Sequence, residues 1–240
     1  MQQSGNRLMA TKSDLAYDHL RKEIISGQIP PDVPLRIQTL GKETGYGSTP
    51  VREALRRLES EHLVVSAVNC GFRSAAISLP EIKDLDQSRL VIETALLRQS
   101  IQAGGDAWEG DIVAAHYQLA KLPLPFDTSS HAQQANWSAK HQQFHAALTA
   151  ASPSLWLHSF QKQIAEQSER FFHYTMNAEL QHRLEQSPEL KALLNRALGV
   201  EHHTQLMQAT LDRDVAAATA LLTEHIQFTS QFFAKAFPDN

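Results

Sequence analysis

From Asp14 onward, apolar Leu15, Leu20, Ile24 and Ile25 keep a helical rhythm that stops at Gly27. The Ile29-Pro-Pro-Asp-Val-Pro34 run that follows predicts a rigid extended turn, because proline fixes φ and lacks an N–H donor. A second, short helix is predicted over residues 37–44, and Gly45-Tyr46-Gly47 is the turn that leads into a third. That third helix begins with Ser48-Thr-Pro-Val-Arg-Glu-Ala-Leu-Arg-Arg-Leu-Glu59. Ser48 or Thr49 can cap it, and Pro50 suits its first turn, where a missing N–H costs nothing. Val51, Leu55 and Leu58 make the inward face and leave Arg52, Arg56 and Arg57 on other faces. Residues 63–68 and 72–77 read as two strands around a tight turn at Asn69-Cys70-Gly71, a hairpin that serves as a wing.

Beyond Ser78 the strand signals stop. Amphipathic helices are predicted near 80–103, 107–121, 131–151, 154–176, all or part of 178–198, 200–212 and 214–235, with Pro123, Pro125, Pro153 and Pro188 between or within them. The fold class is therefore mostly α. An N-terminal winged helix-turn-helix occupies residues 10–78, after a disordered tail over 1–9, and an all-α bundle of six or seven helices occupies 79–237.

Charge changes this picture when it is counted by segment. The chain carries a net −4, yet residues 1–78 hold ten Lys and Arg against eight Asp and Glu, and the remainder holds twelve against eighteen. The basic excess lies with the helix-turn-helix. Cys70 is the single cysteine, which excludes a disulfide framework and a thiolate zinc site. No apolar stretch approaches the roughly 18–20 residues of a membrane span, and the N-terminus lacks a signal-peptide core. A cytoplasmic protein is the expectation.

A helix laid in the major groove presents its first residues to base edges, and an arginine there grips guanine O6 and N7 with two parallel hydrogen bonds. Arg52 is the residue expected to do this, with Arg56 beside it. Ser48 and Thr49 are placed to bond phosphate or base edges, and Gln38, Gly71 and Arg73 to hold the backbone. Arg57 is divided between DNA and a solvated face on which Glu53 and Glu59 are its partners. One such helix makes too few contacts for tight specific binding, so a homodimer reading palindromic double-stranded DNA is expected.

Ten of the twelve histidines lie after residue 78. His141 and His145 are four apart, hence stacked on one helical face, and His225 is in phase with Leu221, Leu222, Phe228 and Phe232. His203 shares a face with Val200 and Met207, and His202 shares one with Leu206 and Ala209, so periodicity does not choose between them. An inward imidazole needs a partner, and several together suggest a divalent metal.

The Leu20-Arg-Lys-Glu-Ile-Ile-Ser-Gly27 segment, Thr49-Pro-Val-Arg-Glu-Ala-Leu-Arg-Arg-Leu58, the Gly71-Phe72 wing, Arg89-Leu-Val-Ile-Glu93, Phe144-His145, Glu201 to His203 and His225 together resemble the GntR family of bacterial transcription regulators. The resemblance is to its FadR-like subgroup with a helical FCD effector domain, and it covers nearly all of residues 14–235. It implies a ligand-responsive repressor whose bundle binds a divalent metal through one Asp and three His. Here His145, His203 and His225 match the three His positions, and His141 stands where the Asp normally is. An all-nitrogen set suits zinc or nickel better than magnesium or manganese. The resemblance also implies that Arg89 faces a small carboxylate effector, whereas spacing alone offers an i,i+4 bridge to Glu93. The family commonly has a basic residue at the position matched by Ser48, and this chain departs from that. Two rivals are a regulator that senses the metal itself and a metal-dependent hydrolase. The second lacks a His-Glu-x-x-His run and a carboxylate tied by spacing to the histidines.

Overall fold

The computed structural model describes residues 10–67, 71–128, 130–176 and 178–237. The predicted tail over 1–9 and the wing-turn residues Asn69 and Cys70 lie outside the described residues. The chain divides into two compact units, 1–77 and 78–240.

In the first unit, α1 (Lys12–Ile25) starts at Thr11, whose hydroxyl accepts from the Asp14 N–H while the Asp14 carboxylate accepts from the Thr11 N–H, each at 3.1 Å. Its buried face is Ala16, Leu20 and Ile24 at strict four-residue spacing. Leu15, expected inside, is 44% exposed because it falls off that stripe. Helices α2 (Ile37–Glu43) and α3 (Ser48–Ser60) follow, and Val51, Ala54, Leu55 and Leu58 of α3 close the core against α1.

The residue before α3 corrects an expectation. Gly47, at φ +91°, occupies the cap position, and neither Ser48 nor Thr49 caps the helix. A residue with a side chain is strained at that φ, so glycine ends the turn and the helix starts one residue sooner than a serine cap would allow.

The strands are β1 (Pro34–Leu35), β2 (Val64–Ala67) and β3 (Gly71–Ser74), in the order β1-β3-β2, all antiparallel. β1 was expected to be only part of a turn. It pairs Pro34 with Arg73 and Leu35 with Phe72, so the wing is a three-stranded sheet with proline on its edge strand, where the missing donor is tolerated.

The second unit is all helical: α4 (Leu79–Ala103), α5 (Asp106–Ala120), α6 (His131–Thr149), α7 (Leu155–Thr175), α8 (Ala178–Gln186), α9 (Pro188–Leu198), α10 (Val200–Leu211) and α11 (Val215–Ala236). Side-chain oxygens of Ser78, Ser130, Ser154, Ser187 and Asp214 cap five of them. Ser187 and Pro188 divide residues 178–198, where one helix over all or part of the stretch is expected, into two, which makes eight α-helices among the described residues. Helix α4 packs on α11, α7 and α6. The main core joins Leu97, Ile101, Trp108, Ile112, Phe144, Leu148, Leu206, Leu222 and Ile226.

Candidate functional site

The first unit offers a cationic helix face. Arg52 and Arg56 are exposed on α3, and among the described residues neither makes a salt bridge. Ser48 and Thr49 are exposed in the first turn of the same helix, and Gln38 is exposed on α2. Arg57 is different: its Nη1 donates to Asp14 Oδ1 at 2.9 Å and its guanidinium lies 3.8 Å from the centre of the Tyr17 ring. It clamps α3 to α1, and Glu53 and Glu59 accept from Ser13 and Ser66 rather than from an arginine. Arg73 is also engaged, since its Nε donates to Asp32 Oδ1 at 2.9 Å and its Nη2 to the Asp32 carbonyl. Gly71, exposed at φ +81°, opens β3.

In the second unit His141 and His145 of α6, His203 of α10 and His225 of α11 converge. Each offers one ring nitrogen, and these atoms all lie within 4.8 Å of one another. Nε2 of His141 and Nε2 of His145 are 3.2 Å apart. Two nitrogens at about 2.05 Å from one tetrahedral zinc stand about 3.3 Å apart, so this spacing fits a shared ion.

Hydrogen bonding shows which lone pairs are free. Nδ1 of His203 is 2.8 Å from the Gly199 carbonyl oxygen, which only accepts, so Nδ1 carries the proton and Nε2 is bare. That Nε2 and Nδ1 of His225 are buried without a hydrogen-bond partner. Leaving such an atom unpaired costs about 1–3 kcal/mol, and a bound cation would take the lone pair of His203 Nε2. The residues present therefore fit a divalent metal. His202 is turned aside: its Nε2 donates to the Leu221 carbonyl at 3.1 Å, and its ring stacks on His225.

Burial drives all four ring pKa values down, and neighbouring imidazoles push those of His141, His145 and His225 further. His203 is lowered to about 4, again chiefly by burial. At neutral pH the cluster is uncharged, which is the ligating form.

Against the cluster lies a cavity of about 550 Å³ bordered by α4, α6, α7, α9 and α11. His141, His145 and His225 line it, and so do Arg89 and Glu93. Arg89 Nε donates to Glu93 Oε1 at 2.7 Å, so the bridge and the cavity position hold together. Burial works against the Arg89 charge, but Glu93 and Asp86 outweigh it and hold the group protonated. Sequence reasoning missed His158, Gln161, Lys162 and Trp137, which also line the cavity. Nothing in the spacing of His158 ties it to the other histidines.

Residues 12–73 match the model for bacterial regulatory proteins of the gntR family, and residues 84–228 match the FCD domain. The chain belongs to the GntR family of bacterial regulatory proteins. It is a DNA-binding transcription regulator with an FCD effector domain, and not an enzyme. Among GntR relatives, it is 30% identical over 213 residues to the HTH-type transcriptional repressor GlaR of Escherichia coli, covering 88% of this chain and 90% of that one. It is 29% identical to the HTH-type transcriptional regulator BphR of Paraburkholderia xenovorans, covering 89% and 82%. A putative GntR regulator from Rhodococcus sp. RHA1 shares the fold at TM-score 0.67 and 19% identity, over 95% of this chain and 99% of that one. Escherichia coli McbR/YncC does so at 0.64 and 18%, over 95% and 98%. No described helix is long and apolar enough to cross a membrane.

Proposed function

We propose that this regulator is a homodimeric, ligand-responsive repressor whose bundle binds a divalent ion on His141, His145, His203 and His225, with a small carboxylate as effector. The observation that carries this reading is the meeting of four uncharged imidazoles, three of which line a cavity that also holds Arg89. When bound, the ion supplies positive charge that draws a carboxylate. Arg89, fixed by Glu93, offers the parallel guanidinium donors that grip the same group. Four nitrogen ligands favour zinc or nickel. They also leave the ion its full double charge, where an Asp in place of His141 would cancel part of it. An H141D variant with metal present is therefore expected to hold an acid effector less tightly, and equal or tighter binding would refute the role of His141.

At the DNA end, the free guanidinium of Arg52 at the start of α3 supports base readout in the major groove. Arg56, Gln38, Ser48, Thr49 and the Gly71 backbone are the positions for phosphate and register. Arg73 serves there only by sharing or leaving Asp32. Two copies on a palindromic operator supply the contacts that one α3 lacks. An effector shifts operator binding only if it prefers one pose of the dimer. Fluorescence anisotropy on fragments of the chain's own promoter region tests this, in three arms: protein alone, with zinc, and with zinc plus organic acids. Specific binding that weakens only in the third arm is expected. A response to zinc alone would make the protein a metal sensor, and no preference over random duplex would overturn the reading.

A further inference from the structure

The cavity is polarised along its length, and four helices agree on the direction. On α11 its lining runs from His225 through Phe228 to Phe232 and Phe233. Helix α4 is antiparallel to α11: the Ser230 N–H donates to Asp86 at 3.2 Å, and Arg98 donates to Thr219 at 3.4 Å. Its lining runs from Glu93 and Arg89 back to Ile82, so the polar and apolar ends of the two helices coincide. Helix α7 is antiparallel to α4, since Ser152 just before it donates to Gln99 and Arg170 near its end sits 3.8 Å from Glu81. That places Lys162 level with Arg89, and Phe171 and Phe172 level with Ile82. On α6, His141 and His145 belong to the cluster, while Trp137 stacks on Phe172 with centroids 5.6 Å apart. From His225 to Phe233, at 1.5 Å per residue, the polar-to-apolar axis is about 12 Å long.

The polar groups at the apolar end do not suit a second polar feature on a ligand. Ser168 donates to the Ile164 carbonyl at 3.1 Å and Thr175 to the Phe172 carbonyl at 2.8 Å. Glu169 faces His173 at 3.6 Å and is engaged by the protein, and Ser138 and Thr229 contribute one hydroxyl each. A second carboxylate would meet Glu169 and phenyl rings. A polyhydroxylated acid would leave hydroxyls unpaired, each lowering affinity roughly 5- to 150-fold.

We propose that the effector is a monocarboxylate with a hydrocarbon body, its head at Arg89 and the imidazole cluster and its body along Phe172, Phe228, Phe232 and Phe233. This rests on the reading of the cavity as the effector site and narrows it to one chemical class. Each methylene moved from water into this wall tightens binding about fourfold.

The test is calorimetric titration of the full zinc-loaded chain with acetate, butanoate, hexanoate and 4-phenylbutanoate, and with adipate and gluconate as counterparts. Affinity is expected to rise about fourfold per methylene from acetate to hexanoate, with adipate at least tenfold weaker than hexanoate and gluconate no tighter than acetate. A flat series, or adipate or gluconate binding as tightly as hexanoate, overturns the proposal while acetate binding leaves the effector-site reading in place. If no acid binds, that reading falls and takes this inference with it. Replacing Phe172, F172A, is expected to cost about tenfold on 4-phenylbutanoate with acetate affinity and zinc stoichiometry unchanged; the titrations on the unaltered chain decide the matter if this variant does not fold.

Discussion

The two units handle positive charge in opposite ways. On α3, Arg52 and Arg56 carry theirs into solvent, free of salt bridges among the described residues, so they meet a polyanion without first leaving a partner. In the bundle, burial strips charge from four imidazoles and leaves His203 Nε2 and His225 Nδ1 without a hydrogen-bond partner. Arg89 keeps its charge there, with Glu93 2.7 Å away and Asp86 adding to the pull. The first unit is built to neutralise a duplex whose charge is always present, and in the function proposed above the second takes its positive charge from a bound cation. The sign of a site therefore depends less on which residues are present than on what water is allowed to reach.

The largest effect that separates the units is expected from H203A. It removes the imidazole of the proposed set whose tautomer a backbone carbonyl fixes, and zinc affinity should fall by more than roughly 100-fold, beyond the cost of losing an outer partner. Metal content measured after dialysis checks this, and operator affinity without effector should stay within a fewfold of the parent.

Next comes pH, with the metal removed by a chelator. His203 is lowered to about 4 in the folded chain against 6.5 ordinarily, so the unfolded chain binds the extra proton between those values. Stability from this group is complete above about pH 6.5 and is lost as pH falls toward 4, on the order of 3 kcal/mol in total. Melting temperatures recorded from pH 7.5 to 4 should decline monotonically, and a curve flat across that window would contradict the burial described.

R52A is expected to weaken specific operator binding by about 1–3 kcal/mol and to relax base preference at one position of each half-site. Competition against single-base operator variants reads this out, and zinc content should not move. The smallest effect distinguishes two neighbours on the same helix. R56A should lower the slope of log affinity against log salt by about one, whereas R57A, whose guanidinium is held by Asp14 and Tyr17, should leave it unchanged.

The helices and the family were legible because their signals are local. The Val51, Leu55, Leu58 stripe and the Thr49-Pro-Val-Arg-Glu-Ala-Leu run need no knowledge of the rest of the chain. What escaped notice depends on partners far away in sequence. Strand β1 exists only because β3, nearly forty residues later, pairs with it. Arg73 and Arg57 look free until Asp32, Asp14 and Tyr17 are brought to them by the fold. His202 and His203 are indistinguishable by periodicity, and both are buried; the carbonyls of Leu221 and Gly199 decide which ring turns to the cluster. The aromatic wall was visible only as core, since Phe232 and Phe233 obey the same spacing whether they border a cavity or fill one.

Gly199 both ends α9 and begins α10, and a Cβ there would lie 2.3 Å from the Asn195 carbonyl oxygen. Its own carbonyl steadies His203, while Leu194, Ala197 and Leu198 just before it border the cavity. An effector seated in that cavity would thus press on the peptide whose carbonyl holds the His203 ring. In the function proposed above, effector and ion would be linked through this single joint, which has no room for a side chain.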